Sequence, residues 1–365
     1  MSQRSYNPLA PSRLTIYTKA LAENYTFLKS LTDADVAGVI KADAYGTGAK
    51  QAYKSLHQAG AREFFVATPE EGIALEAHED SSVYILGGVY KGAEKDFANN
   101  GIIPVLNSIE QIERWARTAS TLNKKLPALL HIDTAMNRLG LEDSDIEKLS
   151  QKPDLLNTLD LRAIMTHFAC SDEADHPLNH IQAQRFNRVA NNFPGIRHSL
   201  CNSSGIFRDK GWHYDLLRPG YALYGGNPTP ENNNPMRRVV DWSVQILQIR
   251  LGKTGESAGY NPTSRFEKDT VLATVSIGYA DGFLRSGSNK ACFYWNGQAC
   301  PIVGRVSMDL IIVDISKVEG MMPQAGDWLE ILGPNQSVDQ LAQSCGTIGY
   351  EVLTSLRHRA ERVYE

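Results

Sequence analysis

Residues 36–49 read "VAGVIKADAYGTGA", and the fold turns on how they are parsed. "VAGVI" at 36–40 is a short β-branched apolar run closed off by the glycines of "YGTG", so a buried strand is expected to end at Ile40. Lys41 then stands at the mouth of that strand. An ammonium leaving water loses several kcal/mol of solvation, so a lysine there needs a partner, a route to water or a chemical task. A strand-end lysine ordinarily bends its stem outward to solvent. The rest of the chain decides whether this one does more.

The same unit recurs along the chain. Further short apolar runs lie at 64–68 "FFVAT", 83–87 "VYILG", 102–106 "IIPVL", 128–133 "ALLHID", 161–167 "LRAIMTH", 197–202 "RHSLCN" and 214–217 "YDLL", the last continuing towards "YALYG" at 221–225. Amphipathic stretches separate them, such as 108–120, where Ser108 can cap and Ile109, Ile112, Trp115 and Ala116 share a face, and 178–193 with Ile181, Phe186 and Val189. Eight strands alternating with helices over about 200 residues is the arithmetic of a (β/α)8 barrel, an α/β fold. An open doubly wound sheet competes, but no G-x-G-x-x-G follows any strand. Beyond residue 236 the pattern alternates apolar and polar residues between Gly and Asn turns, as in "VVDWSVQILQIRLG", predicting a mostly antiparallel β domain. The Pro- and Asn-rich "GNPTPENNNP" at 226–235 marks the boundary. The expected division is a barrel over 12–235 and a β domain over 236–365, with residues 1–11 associating with the latter. Two short helices at 337–344 and 348–356 should precede a last strand.

Composition narrows the function classes. With 365 residues and 42% hydrophobic, the chain can fill a core larger than one ordinary domain. A net charge of −4 without long Lys/Arg runs offers no footprint for nucleic acid or an anionic membrane surface. No segment approaches the ~20 apolar residues of a membrane helix, and the start lacks a signal-peptide core. Five cysteines with no C-x-x-C pair suggest a reducing compartment. The expectation is a cytoplasmic protein without membrane or nucleic-acid partners.

Barrel chemistry sits beyond the C-terminal ends of the strands. Lys41 and Tyr45 follow the first strand, Arg138 the fifth, His167 ends the sixth, Ser203 follows the seventh and Arg218 lies at the eighth. A partly desolvated lysine can act as an imine-forming amine or a proton acceptor. Hydroxyls of Tyr45 and Ser203 and the amides of "PGY" at 219–221 can hold a phosphate. A guanidinium has donors only, so an arginine facing a pyridine nitrogen leaves it unprotonated. Amine, phosphate donors and ring partner together indicate pyridoxal 5′-phosphate.

With "KADAYGTGA", "DTAMNRLG", "MTHFA", "NSSG", "RPGYALYGG", "SIGYADG", "VGRVSMD" and "GTIGYE" in order, the chain resembles the alanine racemase family along nearly its whole length. The resemblance implies interconversion of L- and D-alanine by two bases, for making D-alanine for peptidoglycan or degrading it. Lys41 would bind the cofactor aldehyde and serve as the base on one face of the substrate. Tyr279 of the partner subunit would be the base on the other. A free phenol titrates near 10, so positive neighbours must lower its proton affinity, a role for His167, Arg218 and Arg138. Arg218 would donate to the ring nitrogen and limit transamination. Arg138 would contact the substrate carboxylate and the cofactor's phenolic oxygen, with Met308 and Asp309 of the partner completing that site. Tyr45, Ser203, Gly220, Tyr221 and Tyr350 would hold the phosphate. Such sharing implies a homodimer.

The sequence departs from the family at one informative place. Many members carry a carbamylated lysine two residues before the "DT" of this motif, positioning the arginine; here that residue is His131, which cannot form the carbamate. Arg138 is therefore expected to be held by a bound anion or a nearby carboxylate. No metal is expected: His167, Asp172, His176 and His180 in "HFACSDEADHPLNH" lack an H-E-x-x-H pattern and read as an acidic loop. The alternatives are a racemase of broader small amino-acid specificity, a barrel decarboxylase using the same cofactor, and a non-catalytic carrier of it. The decarboxylase would present a carboxylate, not Arg218, to the ring nitrogen. The carrier would need neither Tyr279 nor the β domain.

Overall fold

The computed structural model describes residue 7, residues 9–261 and residues 263–365. Of the N-terminal segment assigned to the β domain, residues 1–6 and 8 lie outside the described residues. Parallel strands run in the order Gly38–Val39, Glu63–Val66, Ser82–Ile85, Ile103–Leu106, Leu126–His131, Leu159–Met165 and Arg197–Ser199. Being covered on both faces, such strands read as continuous apolar runs; Phe64, Phe65, Val66, Leu129 and Leu130 are fully buried.

The first strand forms in two pieces. Asp35–Val36 pairs with Leu216–Leu217, and Gly38–Val39 pairs with Phe64–Phe65. One extended segment thus bonds its two neighbours at different heights, the stagger that closing a barrel requires. Bonds from Asp35, Ala37 and Val39 N–H to the carbonyls of Asp215, Leu217 and Pro219 join it to the eighth strand. Asp215 and Arg218 N–H in turn donate to His198 and Cys201 carbonyls. The eighth strand does not continue into "YALYG": Pro219 has no N–H to extend the ladder, and Tyr221–Tyr224 turns as a 3-10 helix.

The second sheet has eight strands and is antiparallel except for one pairing. Its spine is Val240–Gly252, which bonds Thr270–Val275 and Trp328–Leu332. Ser12–Ile16, an element not singled out in the sequence, lies between that spine and Glu361–Tyr364. Val338–Cys345 and Gly349–Thr354 are the two expected short helices. One apolar core, including Phe65, Leu130, Trp242, Phe293 and Leu353, runs through both units. Among the described residues no helix is long and apolar enough to cross a membrane, and all five cysteines are free.

Candidate active site

The residue after the first strand sets the site. Ala42, Asp43, Ala44 and Tyr45 all hold φ between 52° and 54°, a left-handed turn of four non-glycine residues. Each such residue costs roughly 1–2 kcal/mol, so the turn must be held from outside. Glu71 Oε1 accepts from Ala42 N–H at 2.7 Å, Asp43 Oδ1 accepts from Ala49 N–H at 2.8 Å, and Arg362 pairs with the other Asp43 oxygen at 3.2 Å. The buried Tyr45 ring stacks on Tyr224 at 4.7 Å. The turn sends Lys41 into a cavity of about 830 Å³ at the C-terminal end of the barrel. Burial, and secondarily the Arg138 guanidinium, lower the Lys41 pKa, with Glu71 opposing. The amine is thereby made easier to deprotonate, as a nucleophile or base requires.

The same cavity is lined by the Arg218 guanidinium and by two histidines. Arg218 is buried; its Nη1 donates to Ser199 Oγ and its Nη2 to the carbonyls of Thr166 and Leu200. Its Nε–H and the second Nη1 hydrogen have no partner among the described residues, which leaves donors for a ligand in the cavity Arg218 lines. His131 is 8% exposed and its Nδ1 lies 2.7 Å from Asn107 Oδ1. Because the Asn107 amide nitrogen donates to the Leu86 and Val105 carbonyls, its oxygen must accept, so His131 carries the proton on Nδ1 and turns a bare Nε2 outward. Burial, then the Arg218 charge, lower the His131 pKa to about 4. His167 is pushed down by the same two causes and by Arg138, Lys41 and His131.

The remaining end is built for an anion. Ser203 Oγ accepts from Gly220 N–H at 3.0 Å and Ala222 N–H at 3.1 Å, so its own hydrogen is free to donate into the cavity. A Cβ on Gly220 would stand 2.3 Å from Tyr45 Oη, so glycine is needed for that phenol to reach the same corner. Tyr350, from the second unit, adds another phenol. Hydroxyl and amide donors, a guanidinium N–H and an amine lining one cavity are the groups that the phosphate, ring nitrogen and aldehyde of pyridoxal phosphate require.

Lys41, Tyr45, Arg138, His167, Ser203, Arg218, Gly220, Tyr221 and Tyr350 thus share one cavity, whereas Tyr279, Met308 and Asp309 do not line it. Those three gather on another surface, with Tyr279 40% and Met308 53% exposed. Tyr279 and Ala280 N–H donate to the Ser307 and Met308 carbonyls, and Arg359 bridges Asp281 and Asp309, at 2.7 Å for the latter. Arg138 is exposed at the cavity rim and forms no hydrogen bond or ion pair among the described residues, so the expected carboxylate partner is not met. Of the "HFACSDEADHPLNH" loop, His176 caps the helix Pro177–Ala190 and His180 packs edge-on against Trp212. Glu71, Asn107 and Arg359 were missed. Only Glu71 had a local signal: Thr68-Pro-Glu-Glu71 is a capping-box pattern, and the box forms.

The chain matches two family models, "Alanine racemase, N-terminal domain" over residues 16–228 and "Alanine racemase, C-terminal domain" over 239–364. It is 44% identical to an alanine racemase of Rhodospirillum rubrum over 97% of this chain and 96% of that one. It is 43% identical to a catabolic alanine racemase of Agrobacterium fabrum, covering 97% and 92%. A biosynthetic one from the same organism is 40% identical, covering 97% and 94%. The crystal structure of alanine racemase from Bartonella henselae with covalently bound pyridoxal phosphate superposes with a TM-score of 0.94 at 40% identity, covering 98% of this chain and all of that one. With both family models matched in order and relatives of 40–44% identity spanning nearly the whole chain, this chain belongs to the alanine racemase family.

Proposed function

We propose that the protein interconverts L- and D-alanine with pyridoxal 5′-phosphate, as a homodimer in the cytoplasm. The observation that carries this is the Lys41 amine, its pKa lowered by burial, lining one cavity with an anion cup and spare Arg218 donors. The cofactor, when bound, supplies an electron sink that makes the α-proton of an amino acid removable.

The chain's own residues do the rest. Lys41 holds or takes the proton on one face of the α-carbon. Tyr279 of the partner subunit does so on the opposite face, and alternation between the two inverts the centre. Arg138, without an internal partner, is available to the substrate carboxylate, beside Met308 and Asp309 of the partner. Arg218 supplies positive potential near the phenol, and His167, held neutral by burial and by the Arg218 charge, lies beside it as a hydrogen-bonding group. Tyr45, the Ser203 hydroxyl and the Tyr221 amide grip the phosphate, with Gly220 orienting Ser203 and leaving room for Tyr45, and Tyr350 over them. The exposure of Tyr279, Met308 and Asp309 on a surface apart from the Lys41 cavity supports completion of each site by a second chain. The expected division between a barrel over 12–235 and a β domain over 236–365 falls in the gap between the two family models, but Ser12–Ile16, at the start of that barrel range, pairs into the second sheet instead.

The test is L-alanine in deuterated water, following α-deuterium in the D-alanine formed. Lys41→Ala and Tyr279→Phe should each abolish or cripple exchange in at least one direction. Unchanged racemisation in both variants refutes the assignment. Released carbon dioxide instead of D-alanine would favour a decarboxylase, a reading Arg218 opposes.

A further inference from the structure

Tyr221 has a side chain that the reaction does not use. Its backbone belongs to the anion cup, yet its ring turns away into the second unit, where it is 4% exposed. The phenol donates to Asp339 Oδ1 at 2.6 Å, and Asp339 Oδ2 accepts from Asn227 N–H at 3.1 Å. Burial and the Asp339 carboxylate both push the Tyr221 pKa upward, so the phenol keeps its proton and remains the donor. The Tyr221 ring also stacks on Tyr350, centroids 4.1 Å apart and planes 14° apart. A Cβ at position 349 would come within 1.6 Å of Tyr221 Oη, so only Gly349 lets the phenol pass the helix start to reach Asp339.

Two helices of the second unit therefore meet one barrel side chain: Val338–Cys345 through Asp339, and Gly349–Thr354 through Tyr350. Tyr350 also lines the cavity beside Tyr45, with ring centroids 6.0 Å apart. We propose that Tyr221 and Asp339 are positioning residues: their hydrogen bond fixes the Tyr221 ring as a platform that seats the Tyr350 phenol over the phosphate cup. The inference rests on the cup assigned above. A carboxylate accepting from a buried phenol gives a short, directional bond, and a ring clamped at its oxygen offers its face to Tyr350 at a fixed height. Without it the platform can rotate, and Tyr350 loses its register with Ser203 and Gly220.

The platform acts on the phosphate end alone, so pyridoxal phosphate and pyridoxal should respond differently. Binding of each to the cofactor-stripped full chain is measured by absorbance titration for wild type, Tyr221→Phe and Asp339→Asn. Thermal unfolding without cofactor provides the folding control. Tyr221→Phe keeps the ring and removes the bond to Asp339; by unseating Tyr350 it should weaken pyridoxal phosphate about tenfold, the effect of one displaced hydrogen bond to a charged phosphate, and leave pyridoxal within about twofold. Asp339→Asn, which retains an acceptor but no charge, should give a smaller selective loss. Phosphorus NMR of the bound cofactor should broaden or shift in Tyr221→Phe, which a loss of general stability would not produce. Equal losses for both ligands, or no loss for either in both variants, overturn the proposal. A wild type that binds pyridoxal as tightly as the phosphate overturns the cup assignment and the platform with it, whereas a wild-type preference that survives Tyr221→Phe overturns the platform alone.

Discussion

Burying a neutral histidine makes a definite statement about acid stability. His131 titrates near 4 in the folded chain against 6.5 for a free imidazole, because burial and the neighbouring Arg218 penalise its charged form. Between those values the unfolded chain binds the proton and the folded chain does not, so stability falls as pH drops through 6.5 and levels off below about 4. Evaluating the two titrations at about pH 7 and about pH 5 gives a loss near 2 kcal/mol from this one group. The measurement is urea unfolding of the cofactor-stripped protein at those two pH values and fixed protomer concentration, for wild type and His131→Gln. His167 and the carboxylates are common to both, so their contributions cancel in the difference. The variant should be less stable near neutrality, having lost the Asn107 bond, yet lose about 2 kcal/mol less on acidification. Identical pH dependence in the two proteins would refute the tautomer and burial argument for His131.

Glu71→Gln removes the carboxylate that raises the Lys41 pKa, so the acid limb of cofactor uptake by the stripped protein should move to lower pH; an unmoved or upward-moved limb contradicts it. Ala42→Gly relieves one left-handed residue at φ 53° and, net of glycine's entropy cost, should stabilise by about 0.5–1 kcal/mol in urea unfolding. Arg138→Met should raise the KM for alanine by about tenfold or more through loss of a charged carboxylate contact, leaving cofactor affinity much less affected. Dilution far enough to give monomers in sedimentation should abolish racemisation, since Tyr279 does not line its own chain's Lys41 cavity; an active monomer would refute shared sites.

The barrel was legible because each buried parallel strand is a local apolar run, and because Lys41, Arg138, His167, Ser203 and Arg218 each follow one, where a strand's end must open to the cavity. The antiparallel unit was legible from alternation in segments such as Val240–Gly252. Other features depend on distant partners and have no local period. Ser12–Ile16 is a strand of the second sheet because Val240–Gly252 and Glu361–Tyr364 flank it. The four left-handed residues after Lys41 contain no glycine, and the turn is held by Glu71, Ala49, Arg362 and the Tyr224 ring, most of them distant in sequence. The tautomer of His131 is decided by Asn107, the spare donors of Arg218 by Ser199 and Thr166, and the seat of Tyr350 by Tyr221 and Asp339. Sequence determined which groups reach the cavity, because periodicity and strand ends are short-range; folding decided their protons and orientations, because those depend on charges and hydrogen bonds from residues far along the chain.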